Sequence, residues 1–183
     1  MTRATPAGPA RQRAPRLQLS LQFAEREHRE LLPRSLLARW VRAALRQGPA
    51  RAARSPAPAD DVPAPGAAQI TLRFVDADEG RSLNLQFRRR DYPTNVLTFA
   101  YQAWPPVADI VLCCSVVATE ASAQRKPLAS HYAHLVVHGV LHALGWDHLR
   151  QAQAQRMEQA ERDILAALGI EDPYLPVAEP HHG

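Results

Sequence analysis

The chain has 183 residues, 46% hydrophobic and 22% charged, which is material for one globular domain with a core of its own and too little for two well-filled ones. Its two cysteines, Cys113 and Cys114, are adjacent; neighbouring residues do not close an unstrained bridge, which excludes a disulfide scaffold and points to a reducing compartment. The formal charge is +4 and Lys126 is the only lysine, so the basicity is arginine, whose planar fork suits phosphate oxygens and gives a weak pointer to an anionic partner such as RNA.

Residues 1–15 are rich in Arg, Pro and Ala without hydrophobic period and are expected to form a flexible basic tail. Arg and Pro stand where a signal peptide carries its apolar run, and the longest apolar stretch, Val107 to Ala118, contains Asp109 and is too short to cross a bilayer. The expected location is therefore the cytoplasm, with no membrane partner. Leu17, Leu19, Leu21 and Phe23 alternate with polar residues, the period of a half-buried strand. A helix follows over about 33–46, its apolar residues Leu36, Leu37, Trp40, Val41, Ala44 and Leu45 falling at three- and four-residue spacings.

Residues 49–67, PARAARSPAPADDVPAPGA, read as a mobile Pro/Ala-rich loop inside the domain, because the segment before it ends in an amphipathic helix that needs a partner surface. Ile70, Leu72 and Phe74 mark a second strand over 69–75, and Asp76 to Glu79 open a helix through Leu83 and Leu85. Strands are expected at 96–101 and 109–116, the latter nearly all apolar and so central in its sheet. Two helices close the pattern, one over about 117–144 with a break near Pro127, and one over about 150–168 ending at Gly169. The expected domain spans 16–175, followed by an irregular tail at 176–183.

The informative segment is 131–148, HYAHLVVHGVLHALGWDH. His134, His138 and His142 are four residues apart and project from nearly one face of a helix. Two imidazoles so spaced can grip one metal ion, and a turn at Gly145 would bring His148 in as a third nitrogen, leaving a tetrahedral position open for water. Three neutral imidazoles suit zinc best, with nickel, copper and iron compatible by ligand type. His134, a turn earlier, reads as a packing residue or a partner of a ligand. Asp147 has three readings, an orienter of His148, an aid to proton transfer or a cap of the last helix, and the two cysteines read as small buried hydrophobes on opposite faces of the sheet.

The spacing of His138, His142, Gly145 and His148 coincides with the H-E-x-x-H-x-x-G-x-x-H pattern of metzincin proteases except at one position. Where those proteases carry the glutamate that serves as general base, this chain has Gly139, which makes a metallopeptidase the weaker hypothesis.

The run HGVLHALGWDH at 138–148 resembles the H-G-x-L-H-L-x-G-Y-D-H signature of the YbeY family of bacterial rRNA maturation factors. A second block agrees with it. Leu83, Asn84, Phe87 and Arg88, then Asp91 and PTNVLTF at 93–99, are similar to that family's L-N-x-x-[YF]-R and P-T-[DN]-V-L-S-F segments, and ADIVLC at 108–113 to its G-D-I-x-[IL]-[CS] strand. Ala108, Ala143 and Trp146 replace the usual Gly, Leu and Tyr.

The resemblance implies a zincin-like α+β fold, a mixed sheet of about four strands packed with helices, one of them central and bearing the metal ligands. It implies a zinc-dependent endoribonuclease, with one Zn2+ per chain on His138, His142 and His148 and with Arg88 in the cleft facing it, these four residues forming the catalytic set. The implied partners are single-stranded RNA, small-subunit (16S) rRNA and the ribosome, a small-subunit ribosomal protein and an Era-type GTPase; the implied tasks are rRNA maturation and ribosome quality control. A guanidinium there would stabilise the charge that gathers on a scissile phosphodiester, whereas by composition alone Arg88 is a solvated member of the run Arg88-Arg89-Arg90 pairing with Asp91. Thr94, Asn95 and Thr98 are candidates for RNA contact whose first expected role is backbone hydrogen bonding. The alternative is a non-catalytic, zinc-containing ribosome assembly factor.

Overall fold

The computed structural model describes residues 14–50 and 66–175. The tails expected at 1–15 and 176–183 and the loop at 49–67 lie outside these residues, apart from their innermost positions. The elements in order are β1 (Leu17–Phe23), α1 (Arg34–Leu45), β2 (Ala68–Val75), α2 (Ala77–Arg88), β3 (Val96–Ala103), β4 (Pro106–Cys113), α3 (Cys114–Ala123), α4 (Leu128–Ala143) and α5 (Gln151–Ala167). This is the α+β architecture expected, with a mixed four-stranded sheet.

The sheet order is β1-β2-β4-β3, with β1, β2 and β4 parallel and β3 antiparallel on the edge beside β4. Parallel neighbours need crossovers and receive them: α1 joins β1 to β2, whereas β3 and β4 are joined by the short turn an antiparallel pair allows. Alternation along each strand sorts side chains between two cores. Ile70, Leu72, Phe74, Ile110 and Leu112 point to the face covered by α1 and α4, and Val75, Leu97, Val111 and Cys113 to a smaller cluster on the other face, joined by Leu83 of α2.

Helix α4 is buried nearly all round, its Tyr132, Val136, Val137, Val140 and Leu141 lying fully in the larger core. That burial fixes its roll and hence the direction of its histidines. Gly139 lets it approach the sheet: a Cβ there would sit 2.8 Å from Ile110 Cγ2 and 3.2 Å from Thr98 Oγ1, too close for any side chain.

One boundary differs from expectation. Strand β4 stops at Cys113 and α3 begins at once, whereas the apolar run was expected to stay extended to residue 116; a run without period fits a buried strand and a buried helix turn equally. The break expected near Pro127 is present: the turn at 124–127 separates α3 from α4, and Pro127 is the N-cap of α4. The cysteines are free and buried, Cys113 in the smaller cluster and Cys114 in the larger, on opposite sides as expected although Cys114 belongs to a helix.

Candidate functional site

Asp76 caps α2, its Oδ1 accepting from Glu79 N at 2.8 Å. At the far end the chain turns through Arg89 in the left-handed region, φ 58, and buried Asn84 reaches across to donate from Nδ2 to Tyr92 O at 2.7 Å. Phe87 leans edge-on against Phe99 of β3 at 4.9 Å. These contacts hold the last residue of the helix, Arg88, at the rim of a cleft of about 480 Å3 lined also by Thr94, Asn95, Thr98, His138, His142 and His148. Arg88 does not pair with Asp91, because Asp91 is held by Arg81 at 2.7 and 2.8 Å. Its guanidinium is exposed and has no hydrogen bond or ion pair among the described residues.

The other wall comes from the end of α4. His138 and His142 project from one side of the helix into the cleft. The chain then reverses at Gly145, φ 81, and Trp146 anchors the reversal by donating from Nε1 to Gly48 O at 3.2 Å. His148 arrives with its ring 4.9 Å from His142 and 5.8 Å from His138. One nitrogen of each histidine lies within 4.8 Å of one from each of the others. No fourth His, Cys, Asp or Glu joins this group among the described residues.

The hydrogen bonds decide which nitrogens face inward. His138 Nδ1 lies 2.8 Å from Glu161 Oε1, and His142 Nδ1 lies 3.0 Å from the carbonyl of Trp146. Both partners are acceptors, so both Nδ1 atoms carry the proton and both Nε2 atoms present lone pairs, 3.1 Å from each other. Burial, and after it the neighbouring His138 and His148 rings, hold His142 down at about 4, so it is neutral at pH 7, the form that ligates a metal. Two lone pairs so directed, with a third imidazole beside them and no fourth protein ligand among the described residues, are a donor set that fits zinc with a position left open.

Glu161, on α5, escaped the sequence reading. It is fully buried and accepts from His138 Nδ1, from His134 Nε2 at 2.9 Å and from the Tyr174 hydroxyl. Burial alone would raise its carboxyl, but the bonds from His134 and His138 outweigh it and hold the group at about 2. A signal for it existed: Met157, Ala160, Ile164 and Leu165 form the buried stripe of α5 and Glu161 stands on that stripe, where a lone acid asks for a partner. His134 is therefore a partner of this carboxylate and not a member of the three-histidine group.

The remaining candidates have structural partners. Asp147 Oδ1 accepts from His148 N at 2.7 Å, which ties the His148 turn; the N-cap position of the last helix is Arg150, whose backbone N–H donates to Gln153 Oε1 at 3.1 Å, so Asp147 does not cap it. Asn95 uses Oδ1 to accept from Val96 N at 2.6 Å and Nδ2 to bind Glu120 at 3.0 and 3.1 Å, so its side chain shapes the cleft wall. No helix among the described residues is long and apolar enough to cross a membrane.

The family described as Endoribonuclease YbeY matches residues 24–169 of this chain. A protein of Paraburkholderia phymatum named Endoribonuclease YbeY is 48% identical over 169 residues, covering 88% of this chain and 98% of its own. Another of that name from Methylibium petroleiphilum is 51% identical over 161 residues, covering 87% and 95%. A solution structure from Thermotoga maritima aligns with 87% of this chain and 98% of its own at 21% identity and a TM-score of 0.43. With nearly the full length of close relatives matched, the chain belongs to the YbeY family of endoribonucleases.

Proposed function

We propose that residues 16–175 form a single catalytic domain that cuts single-stranded RNA with the help of one zinc ion held by His138, His142 and His148, and that its substrate is small-subunit rRNA. One observation carries the reading: the inward-facing Nε2 atoms of His138 and His142, with His148 beside them, share one cleft with the guanidinium of Arg88, which has no partner among the described residues. When bound, zinc supplies a Lewis acid and lowers the pKa of a coordinated water towards neutrality.

The chain's own residues supply the rest. Arg88 offers a fork of donors to the non-bridging oxygens of a phosphodiester and stabilises the charge that grows there in the transition state. The mouth opposite the histidines is formed by an edge strand, β3, with Thr98 and Ala100 on its cleft face, small residues that leave room for an unpaired strand to lie across it. Ribosome maturation in the cytoplasm, with a small-subunit ribosomal protein and an Era-type GTPase as partners, is the cellular setting that this family membership supports.

Peptide hydrolysis is disfavoured at Gly139, where the sheet leaves no space for the glutamate of the metzincin pattern. A purely structural metal site is disfavoured by the want of a fourth protein ligand among the described residues. The experiment is cleavage of end-labelled single-stranded rRNA by metal-analysed protein. RNA cleavage that a chelator abolishes and zinc restores, with casein left intact, is the expected result; chelator-sensitive casein cleavage without RNA cleavage would overturn the proposal.

A further inference from the structure

A carboxylate buried as fully as that of Glu161 needs its oxygens filled, and three side chains from two segments fill them: His138 and His134 from α4, and Tyr174 from the stretch after α5. Oε1 serves His138, while Oε2 takes His134 and the tyrosine hydroxyl. With both oxygens engaged from different directions the carboxylate has no free rotation. Tyr174 is itself pinned. Its ring lies edge-on to His134 at 5.4 Å and under the Arg162 guanidinium at 4.7 Å, and its backbone N–H donates to Asp172 Oδ1 at 2.9 Å. Asp172 Oδ2 in turn accepts from Arg162 Nε at 3.2 Å, and the Lys126 ammonium donates to Pro173 O. The stretch after α5 is thus tied back across α4, behind the three-histidine group.

We infer that Glu161 is a positioning residue for His138: it fixes the ring's rotation and its Nδ1–H tautomer so that Nε2 faces the cleft, and Tyr174 and His134 clamp the carboxylate that does this. The inference rests on the reading of His138, His142 and His148 as a zinc site. His142 has the same need met by a backbone carbonyl, so of the two helix-borne histidines only His138 depends on a distant side chain. Outer partners of this kind raise the basicity of the ligand and remove the entropy of orienting it.

The test uses the full chain as wild type, Glu161→Gln, His142→Ala and Glu120→Gln, and reads zinc affinity by competition with a chromogenic chelator. The tautomer of His138 in the metal-free protein is read by nitrogen-15 NMR. Glu161→Gln is expected to weaken zinc by about 10- to 100-fold and to release His138 from the Nδ1–H tautomer, while Glu120→Gln, which removes a carboxylate from a histidine of the same helix, leaves zinc affinity unchanged. Wild-type zinc affinity in Glu161→Gln with the tautomer retained would overturn the inference and leave the zinc reading standing. Failure of the wild type to bind zinc, or equal affinity in His142→Ala, would overturn both. Should Glu161→Gln not fold, the wild-type tautomer decides: Nδ1–H supports the inference and Nε2–H overturns it.

Discussion

The two halves of α4 each carry a pair of histidines, three residues apart in the first half and four in the second, and put them to different uses. In the first half His131 gives its Nε2 to Glu120 at 2.8 Å and His134 gives its Nε2 to Glu161 at 2.9 Å. In the second half His138 and His142 bond through Nδ1 instead. The outer nitrogen of an imidazole is its reach, and a histidine whose Nε2 is spent inside the protein has nothing to extend to a ligand. Spacing on a helix gathers imidazoles on one face; the nitrogen that the surroundings occupy decides which of them can hold a metal.

Removing a histidine from each half separates the two uses most strongly. His142→Ala is expected to abolish stoichiometric zinc and to lower RNA cleavage by more than about 100-fold, beyond what loss of an outer partner costs. His131→Gln should keep zinc stoichiometric, measured by metal analysis. Equal zinc loss in both would mean that the two halves act as one cluster.

Next in size is the close approach that orients the second half. Gly139→Glu places a Cβ 2.8 Å from Ile110 Cγ2, within a core with no room to yield, and is expected to cost about 1–3 kcal/mol. In a domain of this size that lowers the melting temperature by about 2–12 °C. Peptidase activity should not appear. A variant as stable as wild type that cleaves casein would show that the helix rolls easily and that the glycine is not what separates this site from a protease.

The pH dependence of the metal-free protein distinguishes the halves less strongly. Burial lowers His131 despite its bond to Glu120, and burial with neighbouring imidazoles lowers His142 to about 4. In the unfolded chain both take up protons near 6.5, so below that pH the unfolded state binds more protons than the folded one. Stability therefore falls as pH drops from 6.5 towards 4. Glu161 contributes stability that is present in full above about 4.5 and is lost as pH falls towards about 2. Urea unfolding at pH 7.5, 5.5 and 4 measures the first window, and a flat profile would contradict the lowered proton affinity of both histidines.

Much of this organisation was legible in the chain itself. The three- and four-residue period of α1, the alternation of β1 and β2 and the Asp76 cap all reflect local rules that the packing then obeys. His138, His142, Gly145 and His148 were visible because a metal site on a helix and a turn has a fixed spacing. Arg88 was not visible in that way: in a run of three arginines nothing local separates the residue at the cleft from its neighbours, and only the resemblance singled it out. Glu161 was missed for a related reason, since its histidine partners stand 27 and 23 residues away on another helix and its placement is decided by how α5 packs on α4. The end of β4 was misjudged because an apolar run carries no period to say where extension stops.

The pairing of the histidine group with Arg88 across one cleft is decided by cleavage of end-labelled single-stranded rRNA by zinc-loaded wild type and Arg88→Glu, matched for zinc content and melting temperature. The predicted result is a fall in cleavage of about 10²- to 10³-fold, the usual effect of losing one transition-state donor, with zinc and stability unchanged. Cleavage by Arg88→Glu at the wild-type rate would contradict it.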